Sequence, residues 1–216
     1  MGKSWPWPSL TKLSFGIRSG EVIGVAAGVG VGKTSFWHSL EEHLIINHND
    51  KIGVFMLEEN NAKTLKMIAG KFKGKQFHRP DVDYDQAELD SALDELEDKI
   101  ILYDHSEDRM WETVKAHIRH LVLVDGCKFI IVDPISELTA HLDGSKTNDE
   151  LNRMFGELTA MAETLGFTAF YSSHLNAPDT GPTHEEGGRV KLAQLTGSRA
   201  MIKWSHYIIG LERNTQ

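Results

Sequence analysis

Residues 21–34 read Glu21-Val22-Ile23-Gly24-Val25-Ala26-Ala27-Gly28-Val29-Gly30-Val31-Gly32-Lys33-Thr34, an apolar run that closes on a glycine-rich turn and a lysine-threonine pair. Behind it, Thr34 to Ile46 places Trp37, Leu40 and Leu44 at helical spacing. Strand, glycine turn and amphipathic helix form the context that a phosphate-binding loop requires, and only Ala27 departs from the pattern, in place of its first glycine. Glycines let backbone N–H groups turn toward phosphate oxygens without a Cβ in the way, and the helix N-terminus adds positive potential. The candidate nucleotide contacts are therefore Gly28, Val29, Gly30, Val31, Gly32, Lys33, Thr34 and Ser35. Lys33 is placed to reach the β- and γ-phosphates, and the Thr34 hydroxyl to hold Mg2+. The competing reading is a glycine-rich βα turn with no ligand.

Working outward, five more short apolar runs recur: Lys51 to Leu57, Ile100 to Tyr103, Phe129 to Val132, Thr168 to Ser172 and Tyr207 to Leu211. With Glu21 to Ala27 they predict six strands of an α/β fold, a mostly parallel sheet with helices on both faces, because several runs lack polar alternation. A long helix is expected over Glu150 to Leu165, where Leu151, Met154, Phe155, Leu158, Met161 and Leu165 form one stripe. Three predicted strands end in polar groups. Asp133 closes Ile130-Ile131-Val132 and suits a carboxylate beside a metal at the C-terminal sheet edge. Glu58-Glu59 closes the second strand; if that strand lies beside the first, Glu58 ends near the γ-phosphate and could activate water. Glu58 and Glu59 equally suit the start of a helix, and spacing leaves both readings open. His174 closes Phe170-Tyr171-Ser172-Ser173 at the same edge, where it is either structural or catalytic. No histidine shows zinc-ligand spacing.

The chain has 216 residues, 40% hydrophobic and 25% charged, which fits one globular domain. Its apolar runs are far too short to cross a bilayer, so no membrane role is expected. The single cysteine, Cys127, forms no internal disulfide and reads as a buried small hydrophobe in a reducing setting. The net charge of −8 is uneven: Lys63 to Arg79 holds six bases and no acid, and Asp81 to Asp98 holds nine acids and no base. Both blocks read as solvated helix faces and a loop. Outside the acidic block the 31 acids fall to 22 against 23 bases, so the total charge does not argue against a DNA partner.

Taken in order, the loop from Gly28 to Phe36, Met56-Leu57-Glu58-Glu59, Leu102-Tyr103-Asp104, Ile130-Ile131-Val132-Asp133, Ser173-His174-Leu175, His184-Glu185-Glu186-Gly187, Gly197-Ser198 and Ile208 to Asn214 resemble the RecA-like motor domain of ring-shaped replicative helicases. The pattern is nearest to the helicase half of podovirus-type phage primase-helicases and to mitochondrial Twinkle, with bacterial DnaB more distant. The resemblance implies hydrolysis of ATP or a dNTP with Mg2+, coupled to movement on single-stranded DNA and duplex unwinding. It makes Glu58 the catalytic base, Asp133 the second metal-site acid beside Thr34, and His174 the sensor of the γ-phosphate. It also lays Arg213 against the nucleotide base. It sets two loops in the ring channel, Leu138 to Asp149 and Leu175 to Arg189, with Lys146, Asn176 and Arg189 as candidate DNA contacts. These loops are poor in bases: near positions where relatives carry lysines stand Asn176, Thr180 and Pro182, while Lys203 replaces a glutamine.

The resemblance also implies a cytoplasmic setting in a bacterial or phage-infected cell, or a mitochondrial one for a Twinkle-like protein. Family members form hexameric rings and continue past Arg213 into strands bearing an arginine finger. They begin with a linker helix and, in some, a primase domain. On this reading residues 1–216 are one motor domain without those parts, expected to hydrolyse slowly and to be mainly monomeric. The alternatives are another RecA-like ATPase (a recombinase or regulatory switch), a phosphotransferase sharing the loop, or a binding-only remnant.

Overall fold

The computed structural model describes residues 2–104, 109–142, 144–178, 181–195 and 198–213, apart from the side chains of residues 145 and 198. Thr180, Gly197 and Asn214, named above, lie outside the described residues. The first half runs α1 (Pro8–Ser14), β1 (Val22–Ala27), α2 (Lys33–His48), β2 (Ile52–Met56), α3 (Asn61–Lys73), α4 (Gln86–Leu96) and β3 (Ile100–Leu102). The second runs α5 (Trp111–Leu123), β4 (Phe129–Asp133), a 3-10 turn (Ile135–Thr139), α6 (Gly144–Leu165), β5 (Thr168–Ser173), a 3-10 turn (Leu192–Gln194), α7 (Ser198–Trp204) and β6 (Tyr207–Leu211).

All six predicted strands form, in one sheet ordered β3-β2-β4-β5-β1-β6 in which every pairing is parallel. Their missing polar alternation has the expected cause, since successive residues enter two different cores. Ile23 and Val25 of β1 join Trp37, Leu40 and Leu44 of α2, with α3 and α4, on one face. Val22 and Ala26 join the stripe Leu151, Met154, Phe155 and Leu158 of α6, with α5 and α7, on the other. Cys127 is fully buried in that second core.

One premise of the sequence reading fails. β2 is not beside β1; β4 and β5 stand between them. A second difference concerns α6, which starts at Gly144 rather than Glu150. Its apolar stripe begins only at Leu151, so periodicity could not reveal the polar first turns Ser145-Lys146-Thr147-Asn148-Asp149. The expected channel loop Leu138 to Asp149 is therefore shorter, and Lys146 lies on a helix rather than a loop.

The opposite charge blocks face each other rather than simply facing solvent. Lys73 of α3 meets Glu95 of α4 at 2.5 Å, Lys75 pairs with Glu88, and Lys66 donates to the Tyr84 hydroxyl at 3.0 Å. Exposed pairs of this kind contribute about 0–1 kcal/mol each. Their effect on partners is larger than on stability, because they occupy most of the basic block within the molecule.

Candidate nucleotide site

β1 delivers the phosphate loop at the C-terminal edge of the sheet, with Ala26 beside Ser173 of β5 and Ala27 beside Leu211 of β6. Gly30 and Gly32 hold φ of 70° and 114°, a left-handed backbone that favours glycine. A Cβ at either would meet nothing within 4 Å, so these two glycines answer to backbone conformation. Gly28 answers to packing: a Cβ there would lie 2.4 Å from the Cβ of His184, a buried residue. Gly32 caps α2 with no side-chain hydrogen bond, and the first turn carries no acid, which leaves its N–H groups open to an anion.

Lys33 and Thr34 start α2 and are half-buried. The Lys33 Nζ lies 3.1 Å from Asp133 Oδ1, and the same carboxylate accepts from the Ser172 hydroxyl. Ser172 is fully buried on β5, next to the end of β4. Its part was invisible in the sequence, where the only signal was a hydroxyl within an otherwise apolar strand.

Glu58 follows β2, and the Leu57 N–H donates to the Asp133 carbonyl at 2.8 Å, which fixes this turn against the end of β4. From there Glu58 reaches across to the end of β5, where the His174 Nε2–H donates to its Oε1 at 2.8 Å. Both line one cavity of ≈ 260 Å³ with Gly28, Gly30, Lys33 and Thr34. Glu58 thus arrives at the loop without strand adjacency. The helix-start alternative for Glu58 and Glu59 is decided by Asn60: its side chain accepts from the N–H groups of Ala62 and Lys63 and caps α3, leaving both glutamates ahead of the helix.

A family model for the DnaB-like helicase C-terminal domain matches residues 6–214. The chain belongs to this family. It is 28% identical over 213 residues to the DNA helicase/primase of Enterobacteria phage T3, covering 96% of this chain and 38% of that protein. The chain therefore spans well under half of that relative's length. Its fold superposes on a solved helicase ATPase domain with a TM-score of 0.77 at 19% identity, over 99% of this chain and 76% of the other, which places the sheet in the RecA-like class.

In this DnaB-like domain two residues approach the site that the sequence did not single out. Glu137, on the turn after β4, brings a carboxylate oxygen within 4.8 Å of the ligand atoms of Glu58 and His174, and it pairs with Arg109 at 3.2 Å. Glu185 sits beside the loop, its carboxyl held below the ordinary range first by its own backbone N–H, then by the Thr183 hydroxyl, and further by the Val29 N–H. Much of the expected second channel loop thus folds back: His184 packs on Gly28, and Leu175 bridges Leu195.

A larger cavity of ≈ 600 Å³ adjoins the loop through Val31, Gly32 and Ser35. Its walls are apolar: Trp7, Leu10 and Leu13 of the N-terminal segment, Phe36 of α2 and Leu211 of β6. Trp7 and Phe36 stack with centroids 4.5 Å apart and planes at 13°. Arg213 follows directly on Glu212, which lines this cavity, and is exposed. The candidate DNA residues do not converge. Asn176 lines a separate groove, while Lys146 and Arg189 are exposed outside it. No helix is long and apolar enough to cross a membrane among the described residues.

Proposed function

We propose that this chain is the NTP-hydrolysing motor domain of a replicative DNA helicase, coupling hydrolysis of ATP or a dNTP to translocation on single-stranded DNA and duplex unwinding. The observation that carries the reading is the single cavity in which the loop, Lys33 and Thr34 meet the paired Glu58 and His174. A carboxylate beside a phosphate cradle, with a hydrogen-bond donor on it, suits activation of water better than transfer to a second substrate.

The donor set fits a nucleotide with Mg2+: open N–H groups at α2, one lysine, one threonine hydroxyl and one buried carboxylate. Mg2+ held by Thr34 and Asp133 would supply neutralisation of phosphate charge. Lys33, now paired with Asp133, turns to the β- and γ-phosphate oxygens. Glu58 takes a proton from the attacking water, and His174 transfers its N–H from Glu58 to a terminal phosphate oxygen. The nucleotide base lies in the apolar cavity against Trp7 and Phe36, with Arg213 closing over it. A hexameric ring, and action in the cytoplasm of a phage-infected bacterium, belong to the same proposal for the whole protein.

The test is Mg2+-dependent hydrolysis of ATP and dNTPs, with and without single-stranded DNA, for the chain and its Glu58→Gln variant. Expected is retained nucleotide binding with hydrolysis lowered about 10²- to 10⁴-fold. Equal hydrolysis by both proteins, or phosphate transfer to a small acceptor instead of water, overturns the reading.

A further inference from the structure

Between the first turns of α6 and the short helix α7 runs a second polar site, a groove of ≈ 530 Å³ distinct from both cavities at the phosphate loop. Its walls are built from two matched helical spacings. Asn148 and Asn152 stand four apart on α6, and Arg199 and Lys203 stand four apart on α7, so each pair shares one face of its helix. Asn176, just past β5, closes one end.

The groove is held rigid from behind. The Trp204 indole N–H donates to Asn152 Oδ1 at 2.9 Å, and Trp204 packs so closely on α6 that a Cβ at Gly156 would sit 3.2 Å from its ring. Because the Asn152 carbonyl oxygen is already taken, the group it has left to offer is its NH2, a donor. Lys203 Nζ lies 4.4 Å from the centre of the Trp204 ring, a cation–π contact that positions the ammonium without neutralising it. Neither Arg199 nor Lys203 forms an ion pair among the described residues, in a molecule where Lys73, Lys75, Lys115 and Arg153 all do. Asp149 is the one acid on the lining, so cations outnumber it two to one.

Resting on the helicase reading above, we propose that this groove binds the phosphodiester backbone of single-stranded DNA. Arg199 and Lys203 supply the charge, and the amides of Asn148 and Asn152 supply neutral donors to phosphate oxygens. Two unpaired cations four residues apart beside amide donors match a ligand that is anionic, repetitive and hydrogen-bond accepting. The placement also links the two sites. His174, which holds Glu58, and Asn176, which lines the groove, are separated only by Leu175, and Leu175 is bridged to Leu195 on the groove wall. A strand seated in the groove would therefore press on the segment that positions the catalytic pair. The sequence reading placed its candidate contacts on the loops and looked past α7, where the charge sits.

Fluorescence anisotropy with a labelled oligothymidylate of about 20 nucleotides, titrated across salt concentrations, tests the site. Each single-strand phosphate contact adds about 0.7 to the slope of log affinity against log salt. Arg199→Ala with Lys203→Ala should thus flatten the slope by about 1.4 and weaken binding about 25-fold at about 0.1 M salt. The control, Arg119→Ala with Lys128→Ala, removes the same charge from α5 and the start of β4 and should change affinity less than about twofold. The charge-preserving swap Arg199→Lys with Lys203→Arg should keep the slope. Groove and control variants that lose affinity equally, a groove variant that loses none, or a swap that loses the slope as the alanines do, each overturns this site and leaves the helicase reading standing. No binding by the unaltered chain at low salt overturns both.

Discussion

The ion pair between Lys33 and Asp133 has a value that is measurable before any nucleotide is added. Lys33→Met keeps the aliphatic stem and removes the ammonium, so that Asp133, with a side chain 8% exposed, retains only the Ser172 hydroxyl of its two side-chain partners. Removing one partner of a buried pair costs about 3–5 kcal/mol, because the remaining charge stays desolvated. Lys33 is itself 16% exposed and Ser172 still donates, so the lower end, about 3 kcal/mol, applies here. For a chain of this size that lowers Tm by about 6–12 °C in the absence of ligand. Asp133→Asn should cost less, about 1 kcal/mol, since the amide oxygen still accepts from Ser172 and Lys33 is free to turn to water. The double variant should recover most of the Lys33→Met loss, because it leaves no unpaired carboxylate. Thermal denaturation followed by circular dichroism reads all four proteins. Repeating it with ATP and Mg2+ at about 100 times Kd should stabilise the unaltered chain by about 2.7 kcal/mol and leave Lys33→Met unmoved. A Lys33→Met protein that melts with the unaltered one in the absence of nucleotide would refute the argument, since Asp133 would then not depend on that ammonium.

Three further outcomes follow from the packing. Asn60→Ala removes the acceptor of the Ala62 and Lys63 N–H groups, and should cost about 1 kcal/mol in chemical denaturation while leaving Glu58 chemistry in place. Gly28→Ala drives a methyl to 2.4 Å from the His184 Cβ, so the loop or the 184–188 segment must shift; about 1–3 kcal/mol of stability and much of the nucleotide affinity should be lost. Adding His184→Gly should restore part of that affinity and adding His184→Ala none, since alanine keeps the offending Cβ; equal rescue by both would show that the clash is not the cause. Burial, with help from Asp125, pushes the Cys127 thiol from 9.0 up to about 11. Above pH 9 the unfolded chain sheds this proton before the folded one does, so stability falls as pH rises toward 11, by about 2.7 kcal/mol in full. Denaturant titrations of Cys127→Ala should lack that component, and parallel pH profiles for the two proteins would argue against it.

The six strands and the phosphate loop were legible because each rests on local chemistry: uninterrupted apolar runs for strands covered on both faces, and glycines where the backbone turns left-handed. The start of α6 was not, because Ser145 to Asp149 carry no apolar stripe and short polar side chains serve a loop or a first helical turn equally well. Ser172 and Glu137 escaped for another reason. Each is ordinary in sequence and acquires a role only from what lies across the sheet, Asp133 in one case and the Glu58–His174 pair in the other.

Glu58 shows how a correct residue can stand on an incorrect premise. Strand adjacency would have put it beside the loop directly, and the sheet places β4 and β5 in between. What delivers it is the edge shared by every strand of a parallel sheet. Because β1, β2, β4 and β5 all point the same way, their polar ends gather at one rim, and the turn after β2 is fastened to the end of β4 through Leu57 and Asp133. Order within the sheet then decides distance along the rim, and a glutamate side chain reaching the histidine at the end of β5 covers what remains. The same rim logic explains the DNA candidates. Asn176 continues past β5 toward α7, so the charge that accompanies it must come from whatever packs there, and Arg199 and Lys203 meet it while Lys146 and Arg189, chosen for their loops, do not.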